Sequence, residues 1–259
     1  MSHVAQPEAP ALAGRARAVG LGRTISAGAL AGALGGFVVG GVLGRLAMRL
    51  LAVSSPPAAQ GRLTDDQAIV GRISLGGTFD LTLFTTVVGV VGGLVYLWVR
   101  RVLPESRRGR VLGFAVLAGA VGGALFVHDY PSFDYTVLTP AWLAVALFIA
   151  LPLVYGIVVA LIVEELDGPT GWLRRVPSPV LLGVGILLVL PTAPITGPVI
   201  LAAFAVALLP RLRALWWSRS VTVTGSAIFV LLVVWGVYGI GADVVSIATG
   251  SPSTAPFNP

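Results

Sequence analysis

The chain has no cysteine and no lysine among its 259 residues, and only 11% of them are charged. Without thiols there is no disulfide, no thiolate nucleophile, no Cys-ligated zinc and no iron–sulfur cluster. Without lysine there is no phosphate loop of the Gly-x-x-x-x-Gly-Lys type, and neither a Gly-x-Ser-x-Gly elbow nor a His-Glu-x-x-His zinc helix occurs. These absences remove the common catalytic frameworks and leave no cofactor to expect.

The shortage of charge carries more weight. Soluble chains carry about 25% charged residues; here 56% of residues are hydrophobic and the mean hydropathy is +0.93. That is more apolar surface than a soluble domain of this length buries, so the solvent for most of the chain is lipid.

All 17 basic residues are arginine, giving a net charge of +6. With so much Ala, Gly and Val, this reads as the codon bias of a GC-rich genome. The arginines fall in short clusters between apolar runs and do not line one face of a soluble module. They suit anchoring against anionic headgroups and argue against nucleic acid as a partner.

Residues 1–24 read as a basic, flexible leader and 248–259 as a short tail. Between them lie apolar runs of the length a bilayer requires, about 20 residues: 25–53, 81–102, 111–127, 141–163 and 221–247. The first is too long for a signal-peptide core. The run around 180–209 holds Pro191, Pro194 and Pro198 within eight residues. Three missing amide donors are incompatible with one continuous helix, so two short helices over 179–193 and 196–210 are expected, joined by a tight turn. The expectation is an all-α polytopic bundle of about seven spans.

Loop charge then sets orientation. With the N-terminus inside and the C-terminus outside, thirteen arginines and five acids fall on the inner side, and four arginines and six acids on the outer, a net of +8 against −2. Trp98, Trp172, Trp216 and Trp217 flank the inner clusters, while Tyr130, Tyr135 and Trp142 flank an outer loop, as interfacial rings should. The expected setting is a bacterial cytoplasmic membrane.

In the first span Gly28, Gly32, Gly36, Gly40 and Gly44 recur every four residues, and the pattern Gly-x-aliphatic-Gly-Gly occurs at 32–36, 89–93 and 119–123. Small residues let helices approach closely in lipid, so Gly28, Gly32, Gly36, Gly40, Gly44, Gly89, Gly93, Gly119 and Gly123 are expected to pack the first three spans together. Contact within one molecule is the plain reading, with homo-oligomer contact or a pore lining as the alternatives; a homo-oligomer or another membrane partner is the partner to expect. Pro152 should kink the fourth span.

No charged residue falls near a span centre, and all eleven acids and both histidines map to termini, loops or span ends, which argues against a proton relay. The polar residues that invite a site lie at the outer end. His128, Asp129 and Asp134 share one loop and have the chemistry for a divalent cation or acid/base work; a solvated loop is the simpler reading. Arg45 and Arg49 stand one helical turn apart at the outer end of the first span, against the usual charge bias. Their compensation is expected from a lipid phosphate, from Asp65, Asp66 or Asp80 in or beside the long first loop, or from snorkelling to headgroups.

The Gly-Arg-x-x-Met-Arg ending of the first span (44–49), the Leu-Gly-Gly-Thr element at 75–78 and the Asp/Pro/Phe loop at 129–134 together resemble uncharacterised multi-pass membrane proteins of actinobacterial type, over about residues 25–165. The resemblance implies a membrane bundle and carries no activity. An accessory, scaffolding or lipid-associated role is the leading expectation, followed by small-solute or lipid transport, then by an enzyme acting through the outer His/Asp loop.

Overall fold

The computed structural model describes residues 8–64, 69–127, 132–166, 171 and 175–251. Among them the regular structure is helical: α1 (Glu8–Gly35), α2 (Gly44–Ser54), α3 (Leu75–Val99), α4 (Arg107–Phe126), the single turn α5 (Phe133–Thr136), α6 (Ala141–Leu166), α7 (Ser178–Val189), α8 (Ala193–Leu208), α9 (Pro210–Trp216) and α10 (Arg219–Thr249). Helix α1 begins inside the stretch expected to be a flexible leader. Residues 8–24 are rich in Ala and Arg, both good helix formers, and Pro10 falls in the first turn, where its missing donor costs nothing.

Six helical runs are long and apolar enough to cross a bilayer: Gly14–Ser54, Leu75–Val99, Arg107–Phe126, Ala141–Leu166, Ser178–Leu208 and Arg219–Thr249. The fifth and sixth of the seven expected spans are the two halves of Ser178–Leu208, divided by a 3-10 turn at Leu190–Thr192.

That broken run starts and finishes at one end of the bundle. Arg23 of α1 donates to Ser178 Oγ at 2.9 Å and to the Val176 carbonyl at 3.1 Å. After α8 and α9, Trp216 meets Trp98 with ring centroids 4.9 Å apart, and the Arg101 guanidinium lies over both Trp216 and Trp217. Gly28 packs on Leu97 and Gly32 on Gly89, so α1 and α3 are antiparallel and Arg23 shares an end with Trp98 and Arg101. A straight helix of 31 residues would end about 46 Å away. The halves, 12 and 16 residues long, reach about 18 and 24 Å, each short of a hydrocarbon core about 30 Å thick. Pro191 breaks the helix before α7 is long enough to cross.

The first run stays continuous because α1 passes into eight residues of π-helix, Gly36–Leu43, and then into α2. A row of period four drifts around an α-helix of 3.6 residues per turn. The wider π winding, with its i→i+5 bonds, drifts the row in the opposite sense. The row of period four from Gly28 to Gly40 thereby keeps facing α3: Gly28 lies against Leu97 and the Gly93 carbonyl, Gly32 against Gly89, Gly36 against the Thr85 carbonyl, and Gly40 against Thr85, with Gly41 beside it against Thr82. Gly44, also buried, has Leu81 at ordinary contact distance.

The third glycine motif turns elsewhere. Gly119 packs on Leu153 and Gly122 on Pro152 of α6, while Gly123 meets Ile149 of α6 and Ile240 of α10. Helix α4 therefore sits between α6 and α10, and α1 and α3 form a separate tight pair. Tyr96, Phe114, Val159 and Val163 join the two pairs in the main core. Large apolar side chains on α10, such as Leu231, Val234 and Val237, are exposed, as a lipid-facing surface requires.

Candidate functional site

At the end opposite Arg23 and Arg101, the connection between α2 and α3 folds back over the bundle. Leu63 and Ile69 form an antiparallel bridge, flanked by Gly61 N–H to the Val70 carbonyl at 3.0 Å and Val70 N–H to the Arg62 carbonyl at 2.9 Å. Gly71 closes the fold at φ 79°, a left-handed conformation that glycine adopts without strain. The next residue is Arg72.

This fold roofs a cavity of about 70 Å³ lined by Arg45, Met48, Arg49, Arg72 and Asp134 over apolar walls that include Leu51, Val70, Leu138 and Phe148. Arg45 and Met48 project from α2 toward it, Arg49 stands one turn beyond Arg45, and α5 supplies the buried carboxylate of Asp134. Among the described residues, three arginines and one aspartate thus line a space with apolar walls, where charge interactions are stronger than in water.

Arg45 is the most constrained of them. Its Nη1 lies 3.9 Å from the Met48 sulfur, and its Nη2 sits so close to the first turn of α3 that a Cβ on Gly77 would lie 3.3 Å away. The N-terminus of α3 carries the positive end of the helix dipole, where a cation is disfavoured and an anion favoured. Among the described residues, the buried Arg45 Nε has no hydrogen-bond partner. A buried, unanswered donor costs about 1–3 kcal/mol, and more when charged. An acceptor placed in the cavity against Arg45 removes that cost.

Of the six residues singled out at this end, Arg45, Arg49 and Asp134 come together and Asp80 does not. Asp80 is exposed on α3, outside the cavity lining, and forms no ion pair with either arginine among the described residues. His128, Asp129, Asp65 and Asp66 lie outside the described residues. Among those described, no three His, Asp or Glu side chains gather as metal ligands. Arg72 was the residue sequence reasoning missed. Its signal was the glycine before it, which turns the chain back toward α2.

The opposite end holds a second polar cluster. Glu164 of α6 accepts from Tyr96 Oη at 2.8 Å and pairs with Arg110 Nη1 at 2.9 Å, while Arg107 and Glu165 form an exposed pair at 3.2 Å. Among the described residues, both donors to Glu164 come from other helices, so the cluster ties α3, α4 and α6 together. Three hydroxyls within the spans bond to backbone: Thr85 donates to Leu81, Thr86 to Thr82, and Tyr155 to the Gly89 carbonyl at 2.6 Å. Tyr238 is 59% exposed on the outer surface of α10.

Compared with known protein families, with curated proteins and with solved structures, the chain gives no match. The functional reading therefore rests on the geometry alone.

Proposed function

We propose that this is a lipid-associated protein of the bacterial cytoplasmic membrane, oriented N-in and C-out, that holds the phosphate of an anionic lipid headgroup in the cavity formed by Arg45, Arg49 and Arg72. The observation that carries the reading is the buried Arg45 Nε, without a partner among the described residues, on a guanidinium whose Nη2 lies beside the first turn of α3. Phosphate answers it well, because guanidinium groups bind phosphate oxygens through paired donors. The apolar walls, and the three arginines against one aspartate among the described lining residues, favour a monoanionic headgroup at the membrane surface over a hydrated divalent cation. The arginine clusters at the other end anchor the inner face against anionic headgroups.

Thermal unfolding of the purified protein in detergent tests the assignment. Added phosphatidylglycerol should raise the Tm of the parent more than phosphatidylcholine does. The Arg49→Ala/Arg72→Ala variant should lose about 2 kcal/mol of that preference, roughly thirtyfold in affinity, at about 1 kcal/mol per arginine. An unchanged preference in the double variant would remove the headgroup reading.

A further inference from the structure

A second concavity lies on the same pair of helices. Leu43, Leu46, Ala47 and Leu50, at the end of the π segment and along α2, face Leu147, Ala150, Leu151 and Val154 of α6 across a groove of about 260 Å³ with an almost wholly apolar lining. Ala47 forms part of its buried floor, while Leu46 and Leu50 stand 60% and 49% exposed on its wall. The groove therefore opens sideways, toward lipid. From Leu43 to Leu50 it runs about 10 Å along the helix axis, roughly a third of the way across a hydrocarbon core.

The cavity and the groove occupy different sides of α2, and Arg49 lies between them. Successive residues are about 100° apart around a helix. Arg45, Met48 and Ala52 face the cavity, Leu43, Leu46 and Leu50 face the groove, and Arg49, which lines the cavity and is itself exposed, stands at the boundary beside Leu50. Charge at the outer mouth and hydrocarbon along the length match the two parts of one amphiphile.

We infer that the occupant is a single glycerophospholipid whose phosphate sits at Arg49 and the neighbouring cavity and whose acyl chain lies in the groove between α2 and α6. This rests on the headgroup assignment above and adds the tail. The π segment gives it a structural basis: Gly36–Leu43 rotates the following helix relative to an uninterrupted α-helix. That rotation sets how Leu43, Leu46 and Leu50 are aimed relative to Arg45 and Arg49. A phosphate without a chain fills only the cavity. An apolar chain without a phosphate leaves Arg45 Nε unanswered. The lipid satisfies both.

Native mass spectrometry of the full chain released from detergent, titrated with dioleoyl-phosphatidylglycerol or with sn-glycerol 3-phosphate, separates head from tail. The inference expects Ala47→Trp, which fills the groove floor, to weaken retention of the long-chain lipid at least tenfold while binding of glycerol 3-phosphate stays within twofold of the parent. Because a buried Ala→Trp change risks misfolding, Leu46→Ala/Leu50→Ala provides a second variant that trims exposed wall residues only, and it should weaken lipid retention severalfold. Retention at the parental level in both groove variants would overturn the tail assignment and leave the headgroup reading standing. Parental lipid retention in Arg49→Ala/Arg72→Ala, with no glycerol 3-phosphate bound to the parent, would overturn both.

Discussion

Gly32 of α1 and Gly89 of α3 meet backbone against backbone: a Cβ built on either one would fall against the carbonyl oxygen of the other. The Gly28–Gly93 contact repeats the arrangement one turn away. In lipid the hydrophobic effect gives helices little reason to associate, so such close approach, with its dispersion contacts, holds much of the α1–α3 pair together. Backbone cannot rotate aside as a flexible side chain does.

The first prediction follows from that contact. Gly32→Val should destabilise the protein by about 3 kcal/mol, the upper part of the range for overpacking a tight interface. Gly183→Ala is the control. Nothing lies within 4 Å of a Cβ at Gly183, inside α7, so relief of glycine's helix penalty should leave stability unchanged or raise it by up to about 1 kcal/mol. Equilibrium unfolding in mixed micelles measures both. Equal effects from the two substitutions would show that the α1–α3 contact is not tight in the membrane.

Much of this architecture is legible in the chain because lipid imposes a simple rule. A spanning helix must be about 20 apolar residues long, and Leu75–Val99, Ala141–Leu166 and Arg219–Thr249 announce themselves by that measure alone. Partner choice is not so legible. Gly119 and Gly123 repeat the motif of Gly32 and Gly89 yet pack on α6 and α10, because a small residue permits close approach without naming the neighbour. Proline shows that the helix breaks near Pro191, but which end of the bundle the chain then reaches depends on Trp216 meeting Trp98, 118 residues apart in the sequence. The cavity was half legible. Arg45 and Arg49 stand out against the charge bias, whereas Arg72 joins them only through the Leu63–Ile69 bridge and the left-handed Gly71.

The Glu164 cluster gives a second prediction. Glu164, whose side chain is 12% exposed, answers Tyr96 and Arg110 together. Glu164→Ala leaves a largely buried guanidinium and a fully buried tyrosine without their acceptor, at a cost of about 3 kcal/mol. Tyr96→Phe removes one hydrogen bond to a charged group and should cost about 1.5–3 kcal/mol. Since both changes act on one carboxylate, the double variant should fall short of their sum by at least about 0.5 kcal/mol. Strict additivity in thermal unfolding would show that Tyr96 and Glu164 do not interact.

Orientation and the broken run yield the third prediction, and the absence of cysteine makes the chain a ready background for it. Glu105, Arg175 and Ser220 are exposed near the Arg23–Arg101 end, whereas Ala58 and Ser251 are exposed at the other. Single cysteines at Ala58 and Ser251 should react with a membrane-impermeant maleimide on intact cells. Cysteines at Glu105, Arg175 and Ser220 should react only after the cells are permeabilised, since the arginine-rich end is expected inside. The decisive comparison is Arg175→Cys with Ser220→Cys, which bracket Ser178–Leu208. If that run crossed the membrane once, the two would label from opposite sides. Because α7 and α8 reach only about 18 and 24 Å and return to the end they left, they should label from the same side. Reversal of the whole pattern would invert the orientation and keep the re-entrant run, whereas a split between Arg175 and Ser220 would remove that run while leaving the charge argument for the other spans in place.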